Sequence, residues 1–464
     1  MVLIGKILND WQEKAKEFGQ SFVFFHFNLK GGLTMKSIIR TLLIITGTLP
    51  FLFAPQTVLA SEKKVKITYA DWHLAESPSS EQLLGSVEIF EAKNPNIDVI
   101  PQPVSLKERD AKFMTAIEAG HGPDVYHIDD PPRPGFIKKG YAKDITPFIE
   151  KEGKAFIDKY FESAWNAMKR NGRYYGMPNQ LVSMVLVYNS EMFKAAGLDP
   201  NNPPKTWEDF RSCVNKLTRD TNGDGKIDQW GCGFVFGPAS FHLRFSALLY
   251  SLGGNYVSDD GKKSLMNSTE VKEALQFLVD LKNDGVFPPG IVSAGCHDVR
   301  ILLANKKIGM IVGSQWTPGI CDSVNPNLNA DEIIEMAPLP GKPVTCAHFT
   351  NWTMNRNTKN ADAAWEFMKY MSSDERMKRM LDSEKMLSAN KAVSMHYPPI
   401  VNNRWAKVIS SQLRNAKPIP QITAWPEVQD LVRAAVQDAL TKKKTVSEAL
   451  EQCHMRVQQI LDRD

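Results

Sequence analysis

Asp220-Thr-Asn222-Gly-Asp224-Gly225-Lys226-Ile-Asp228 places oxygen-bearing groups at positions 1, 3, 5 and 9 of a short loop, with glycine at position 6. This spacing folds a chain around a hard cation such as Ca2+, so Asp220, Asn222, Asp224, Lys226 and Asp228 are the candidate metal residues. Position 12 is Gly231 rather than Glu. A bidentate carboxylate must then come from elsewhere or the site is weak, and the plain alternative is an acidic surface turn without metal. The missing position-12 acid and the lack of paired helices argue against a signalling EF-hand. Elsewhere the reactive residues form no catalytic set. There is no Gly-x-Ser-x-Gly and no His-Glu-x-x-His. Cys296-His297 and Cys346-Ala-His348 are too far apart for a zinc finger. Acids are plentiful, yet no motif selects the two carboxylates that a glycoside hydrolase holds about 5 to 10 Å apart.

The elements that would position such residues need a large globular chain, and 464 residues with 43% hydrophobic and 23% charged content supply one. Met35–Arg40 is basic, Thr41–Pro55 is apolar and Val58–Ala60 ends in small residues, the pattern of a secretory signal over 35–60. The apolar part is short for a membrane span, which needs about 20 residues. Residues 1–34 precede that natural start and read as an extended start site or a long leader. Removing residues 1–60 takes six bases from 56 and three acids from 52, leaving a net charge of +1. That balance offers no footprint for nucleic acid. All six cysteines follow the leader, where disulfides can form, and Cys213 with Cys232 is the expected bridge because the two bracket one loop. Cys453 falls with Leu450, Val457 and Leu461 on one helix face, as a core thiol would. No cysteine stands at the cleavage site to carry a lipid anchor.

Strand and helix patterns alternate along the mature chain. Val65–Trp72 alternates as a strand, and Leu83, Leu84, Val87 and Phe90 recur at helical spacing until Asn94-Pro95 stops the helix. A strand over 97–101 and a helix carrying Phe113, Met114 and Ile117 follow. Leu181 to Val187 is apolar except for Ser183, as a strand buried on both faces requires. Ser190 is placed to cap a helix that Gly197 stops, and Thr206 with Asp209 has capping-box spacing. Phe241 to Leu252, Val271 to Leu281, Ala361 to Met371, Glu427 to Leu440 and Thr445 to Leu461 read as helices, and Ile308 to Val312 as a buried strand. The alternation predicts sheets covered by helices on both faces.

Tyr175–Gln180, Val187–Gly197 and Pro203–Phe210, together with Pro123-Asp-Val125, Phe136–Phe148, Gly172–Pro178, Ile308–Trp316, Asn357–Met371 and Thr445–Leu450, resemble the extracytoplasmic solute-binding proteins of ATP-driven (ABC) importers. The branch is that of the maltose- and glycerol-phosphate-binding proteins. The resemblance covers essentially the whole mature chain through many short motifs. It implies an α/β, two-lobed periplasmic-binding-protein fold of type II. Lobe 1 would comprise 61–180 with about 340–390 and lobe 2 would comprise 181–339 with about 391–464, linked by three crossings near 180, 340 and 390. It further implies a periplasmic monomer that closes on a sugar or polyol, hands it to the membrane permease, and needs no cofactor beyond a structural Ca2+. A secreted glycoside hydrolase is the alternative, and a chemoreceptor-serving protein would share the fold.

A sugar stacks its C–H faces on aromatic rings and its hydroxyls on a few polar groups. Trp72 and Trp316 at strand ends, and Trp425 where the family often presents an aromatic, are the implied stacking platforms. A single Trp is more often core. Asp129 and Asp130 end another strand and can accept hydroxyl hydrogen bonds or simply cap a loop. His73, Asn179 and Gln180 join them. Thr350-Asn351-Trp352 stands where many relatives carry a glycine pair against the ligand, so the solute cannot be copied from a relative. No Lys or Arg lies within these strand-end motifs, which argues for a neutral ligand.

Overall fold

Met184 divides the apolar run of 181–187 between two sheets in the computed structural model, which describes residues 64–463 apart from 76–78, 107, 131, 239, 385–386 and 414. β1 (Val65–Asp71) lies between β2 (Ile97–Pro103) and β3 (Val125–Asp129), parallel to both. A hairpin of β4 (Lys169–Arg170) and β5 (Arg173–Tyr174) precedes β6 (Met177–Ser183). After Met184 the chain enters a second sheet through β7 (Val185–Asn189), which pairs with β9 (Ile308–Gly313) and β10 (Ile334–Ala337); β8 (Trp230–Gly233) pairs with β9. Residues 338–344 lead back to β11 (Thr345–Met354), which pairs antiparallel with β3 and β6 and parallel with β12 (Ala416–Pro418). The first sheet thus has six strands and the second four. Every residue of β6, β7 and β9 is buried, so apolar side chains suit both faces.

Helices follow local signals closely. In α1 (Ser79–Lys93) the inward residues are Leu83, Val87 and Phe90, while Leu84 faces solvent, contrary to expectation. Next comes α2 (Arg109–Glu118). The cap of α3 (Ser190–Ala195) is Asn189, one residue before the expected Ser190: its Oδ1 accepts the Met192 N–H at 3.0 Å. α4 (Trp207–Leu217) starts with the Thr206/Asp209 capping box, and α5 (Phe241–Leu252) stops at Gly253, whose φ of 93° suits a residue without Cβ. α6 (Thr269–Asn283), α7 (Cys296–Ala304), α8 (Thr317–Val324) and α9 (Ala361–Met371) follow. α10 (Trp425–Leu440) and α11 (Val446–Leu461) close the chain, packed on each other and on α6.

Cys453 is buried among Leu450, Val457 and Leu461. All six thiols are free, so the expected Cys213–Cys232 bridge is not formed. Cys232 turns fully into the core, whereas Cys213 is half-buried beside the inward stripe of Phe210, Val214 and Leu217. The leader and cleavage-site expectations fall on residues 1–63, outside the described part. No described helix is long and apolar enough to cross a membrane.

Candidate functional site

Because β1 and β3 run parallel, their C-terminal ends meet on one edge of the first sheet, and both end in polar residues. Asp71 closes β1, Trp72 and His73 open the turn after it, and Asp129 closes β3. The Trp72 ring stacks on His127 of β3 with centroids 4.2 Å apart and planes 9° from parallel. The Arg109 guanidinium lies over Trp72 at 4.5 Å. The His73 ring also comes within 4.5 Å of the indole, and Trp72 is left only 6% exposed. Behind His127, at 4.3 Å, is Trp352, fully buried and edge-on to Tyr69.

Asp71 is the hub beneath this column. Its carboxylate accepts the Tyr69 hydroxyl at 2.6 Å and the His73 backbone N–H at 2.9 Å, with His73 Nδ1 at 3.1 Å. His127 Nδ1 stands 3.1 Å from the other oxygen, in ion-pair range but off the hydrogen-bond line. Burial works to raise the Asp71 pKa, yet His127 and His73 hold it well below the usual carboxylate range. Burial presses His127 down to about 4, so its ring is neutral. Asn179 Nδ2 lies 3.1 Å from His127 Nε2, which places the ring proton on Nδ1, facing Asp71. Asp71, His73 and His127 are the one His/Cys/Asp/Glu group among the described residues with ligand atoms mutually close enough for a metal. Each is already engaged by its neighbours, so the group reads as a hydrogen-bond hub.

Asp129 faces Thr350 across the β3–β11 pairing. Burial opposes its charge, but Arg109, whose Nη2 donates at 2.6 Å, and His348, 3.7 Å away, hold it ionised. Thr350 Oγ1 accepts from Asn179 Nδ2 at 3.3 Å and from the Gln180 N–H at 3.2 Å. His242 of α5, a helix packed chiefly on β11, senses both His348 and Asp129, and burial with His348 beside it presses its pKa down to about 3. Three buried polar atoms without a hydrogen bond surround Asp129, namely Arg109 Nη1, His348 Nδ1 and His242 Nε2, and Trp316 Nε1 beyond the end of β9 is a fourth. Native proteins pair such atoms, so an unpaired group of them is what a polar solute would complete.

Trp72, His73, Asp129, Asn179 and Thr350 are therefore brought together. The other expected residues lie apart. Asp130 and Asn351 are engaged by Arg133, which donates to Asp130 Oδ1 at 2.5 Å, to Asn351 Oδ1 at 2.7 Å and to the Phe349 carbonyl at 2.8 Å. All three side chains are buried, so they pin the sheet. Gln180 turns toward Met380. Trp316 sits at the cap of α8, three residues beyond β9, half-buried, with Arg300 5.7 Å over its ring. Trp425 is the first residue of α10, fully buried and edge-on to Tyr256 at 4.9 Å. Through Tyr256 it backs a groove of about 790 Å³ also lined by Tyr250, Lys417 and Gln421.

Arg109, His127, His242, Arg244, Arg300 and His348 went unread as site residues. None is the last residue of a strand; four open or line helices whose apolar stripes drew attention instead. His348 alone carried a signal, alternating with Cys346, and that pattern suggested zinc rather than a cleft.

The Asp220 loop is exposed and shaped by its own backbone. Asp220 accepts the N–H groups of Gly225 at 2.8 Å and Gly223 at 2.7 Å, which hold its pKa down, and Asp228 accepts from Thr221. A side chain at Gly231 would run into the Val214 carbonyl, its Cβ only 2.0 Å away. The fold thus admits the oxygen-rich turn and excludes a twelfth-position Glu.

Residues 72–378 match the model of the bacterial extracellular solute-binding proteins. The chain belongs to that family. A relative from Brucella abortus (strain 2308) named as a binding protein is 24% identical over 407 residues, covering 87% of this chain and 94% of the relative. The galactooligosaccharide-binding protein of Bacillus subtilis (strain 168) is 20% identical over 80% of this chain and 85% of its own length. Among solved structures, an ABC transporter solute-binding protein of Thermotoga lettingae bound with alpha-D-tagatose superposes with a TM-score of 0.76 at 24% identity, over 86% of this chain and 100% of that one. An ABC substrate-binding protein of Listeria monocytogenes in complex with cycloalternan gives 0.73 at 23%, over 86% and 99%. The chain therefore has the fold of two-domain solute-binding proteins.

Proposed function

We propose that this protein is the periplasmic, monomeric substrate-binding component of an ABC importer, capturing a sugar or related polyol and passing it unaltered to the permease. The observation that carries the reading is the set of buried polar atoms without a hydrogen bond around Asp129, namely Arg109 Nη1, His348 Nδ1 and His242 Nε2, with Trp316 Nε1 beyond the end of β9 on the second sheet. Hydroxyls offered between them would satisfy these atoms at once, and only the closed arrangement would gain that contact. The sugars named for the relatives and neighbouring structures support the same class of ligand.

A hydrolase reading is weaker. Asp129 is held ionised by Arg109 and so does not supply the protonated carboxyl that glycosidic cleavage needs, while Asp130 is fully buried in its pair with Arg133, out of reach of a glycosidic bond. The reading also takes the Asp220 loop as the seat of one structural Ca2+.

Thermal melts of the chain lacking residues 1–60 against a panel of sugars, polyols and glycerol phosphodiesters test the proposal. The captured solute raises the melting temperature and is recovered unchanged. Turnover of a stabilising sugar, or no stabilisation by any panel member, overturns it.

A further inference from the structure

Arg244 and Arg300 are cations without an acidic partner. Arg244, the fourth residue of α5, is 2% exposed, and its hydrogen bonds reach only the carbonyls of Val312 and Ser240, both at 3.4 Å. Arg300 extends from α7 over the Trp316 ring. Among the described residues neither guanidinium forms an ion pair with a carboxylate. Neighbouring buried arginines show the usual arrangement: Arg109 holds Asp110 and Asp129, and Arg133 holds Asp130. Burying a guanidinium is costly unless an anion compensates it.

No described residue supplies that anion. Burial and the like charge of Arg300 pull Arg244 down to about 10. The acidic groups near the pair are thiols, and burial pushes Cys321 up to about 12 and Cys346 higher still, so both stay neutral. Arg244 also borders His242, whose Nε2 is unpaired, while Arg300 borders Trp316, whose Nε1 is unpaired. The four side chains therefore offer two planar cationic forks, two further nitrogens and one aromatic ring in continuity with the Asp129 cluster.

We infer that Arg244 and Arg300 receive an anionic group carried on the captured sugar, a carboxylate or a phosphate. This rests on the solute-binding reading. The guanidinium fork matches the paired oxygens of either anion, and the Trp316 ring beside Arg300 suits the C–H face of the attached sugar. The cations come from α5 and α7, outside the strand-end motifs, which is why those motifs suggested a neutral ligand.

Titration calorimetry of the chain lacking residues 1–60, at neutral pH, uses galacturonate, glucose 6-phosphate and their neutral parents galactose and glucose. One acid should bind at least about tenfold tighter than its parent, and high salt should erode that preference. Which acid binds separates a carboxylate source from a phosphate source. In Arg300→Gln, whose position is half exposed and whose folding a melt confirms, the ratio of acid to parent should fall to about one; Arg244→Gln is the second variant. If a neutral sugar binds and neither acid does better, or if Arg300→Gln keeps the preference, the anion assignment fails and solute binding stands. If no sugar, acidic or neutral, binds here or in the wider panel, both fail.

Discussion

Trp72 and His127 lie face to face, 4.2 Å between ring centres, and the His73 ring and the Arg109 guanidinium each stand 4.5 Å from the same indole. A ring so crowded, and only 6% exposed, is a structural pillar for the strand ends rather than a free surface for a sugar. Trp72→Ala should therefore lower stability by about 3 to 5 kcal/mol, the range for removing a large buried aromatic. Urea denaturation measures this. A variant of unchanged midpoint that has lost sugar affinity would show the ring to be a ligand platform.

Acid should weaken the fold before Asp71 or Asp129 titrates. His127 and His242 have pKa values pressed to about 4 and about 3, against about 6.5 in the unfolded chain. Between those limits the unfolded chain binds more protons, so the stability from keeping both rings neutral is complete above about pH 6.5 and declines as pH falls. Each pKa unit is worth about 1.4 kcal/mol, and the two sites together account for a loss of several kcal/mol by about pH 4. Asp71 and Asp129, both held low, add a further loss only as pH falls below about 4. Melting temperatures across this range should fall steadily, and His242→Gln should flatten the slope. A melting temperature constant from about pH 7 to pH 4.5 would refute the assignment.

The same column shows where sequence is legible and where it stops. Capping boxes at Thr206 and Thr445, the stop at Gly253 and the buried run around Ser183 depend on neighbours within a turn or two, so residue type and spacing reveal them. Trp72 and Asp129 were readable because a strand's end can be placed, and Thr350, inside β11, through the resemblance to relatives that carry a glycine pair there. Arg109 and His242 were not, since only the packing of α2 and α5 aims them at Asp129. Asp130 and Asn351 show the opposite failure: one follows the end of β3 and the other faces it within β11, yet both are engaged by Arg133 from a helix three residues downstream of Asp130.

Removing one partner of that buried ion pair should be severe. Asp130→Asn leaves the Arg133 charge, 1% exposed, without its carboxylate, and a broken buried pair costs about 3 to 5 kcal/mol. Calorimetric melting measures the loss, and sugar affinity of the folded fraction should stay within about twofold of the parent. A normal melt with reduced affinity would place Asp130 against the solute instead.

Trp316 is the one expected platform that remains half-buried, with a buried Nε1 free of any protein partner. Trp316→Ala should weaken sugar binding by about 1 to 3 kcal/mol, within the range of an interface aromatic. Trp316→Phe keeps a stacking face but no N–H donor, so it should recover part of that affinity. Equal affinity in all three proteins would remove Trp316 from the site.

Calcium should act weakly through the Asp220 loop. Its oxygens at positions 1, 3, 5 and 9 fit a hard cation, while the Val214 carbonyl bars any side chain at Gly231 and with it the bidentate twelfth ligand. A site this exposed gains stability as RT ln(1 + [Ca2+]/Kd), about 1.4 kcal/mol at tenfold excess over Kd. Millimolar Ca2+ should raise the melting temperature by a few degrees and EDTA should reverse it, with Asp220→Asn abolishing the response. Indifference of the parent protein to both reagents would leave the loop as a turn held by the Gly223 and Gly225 N–H groups alone.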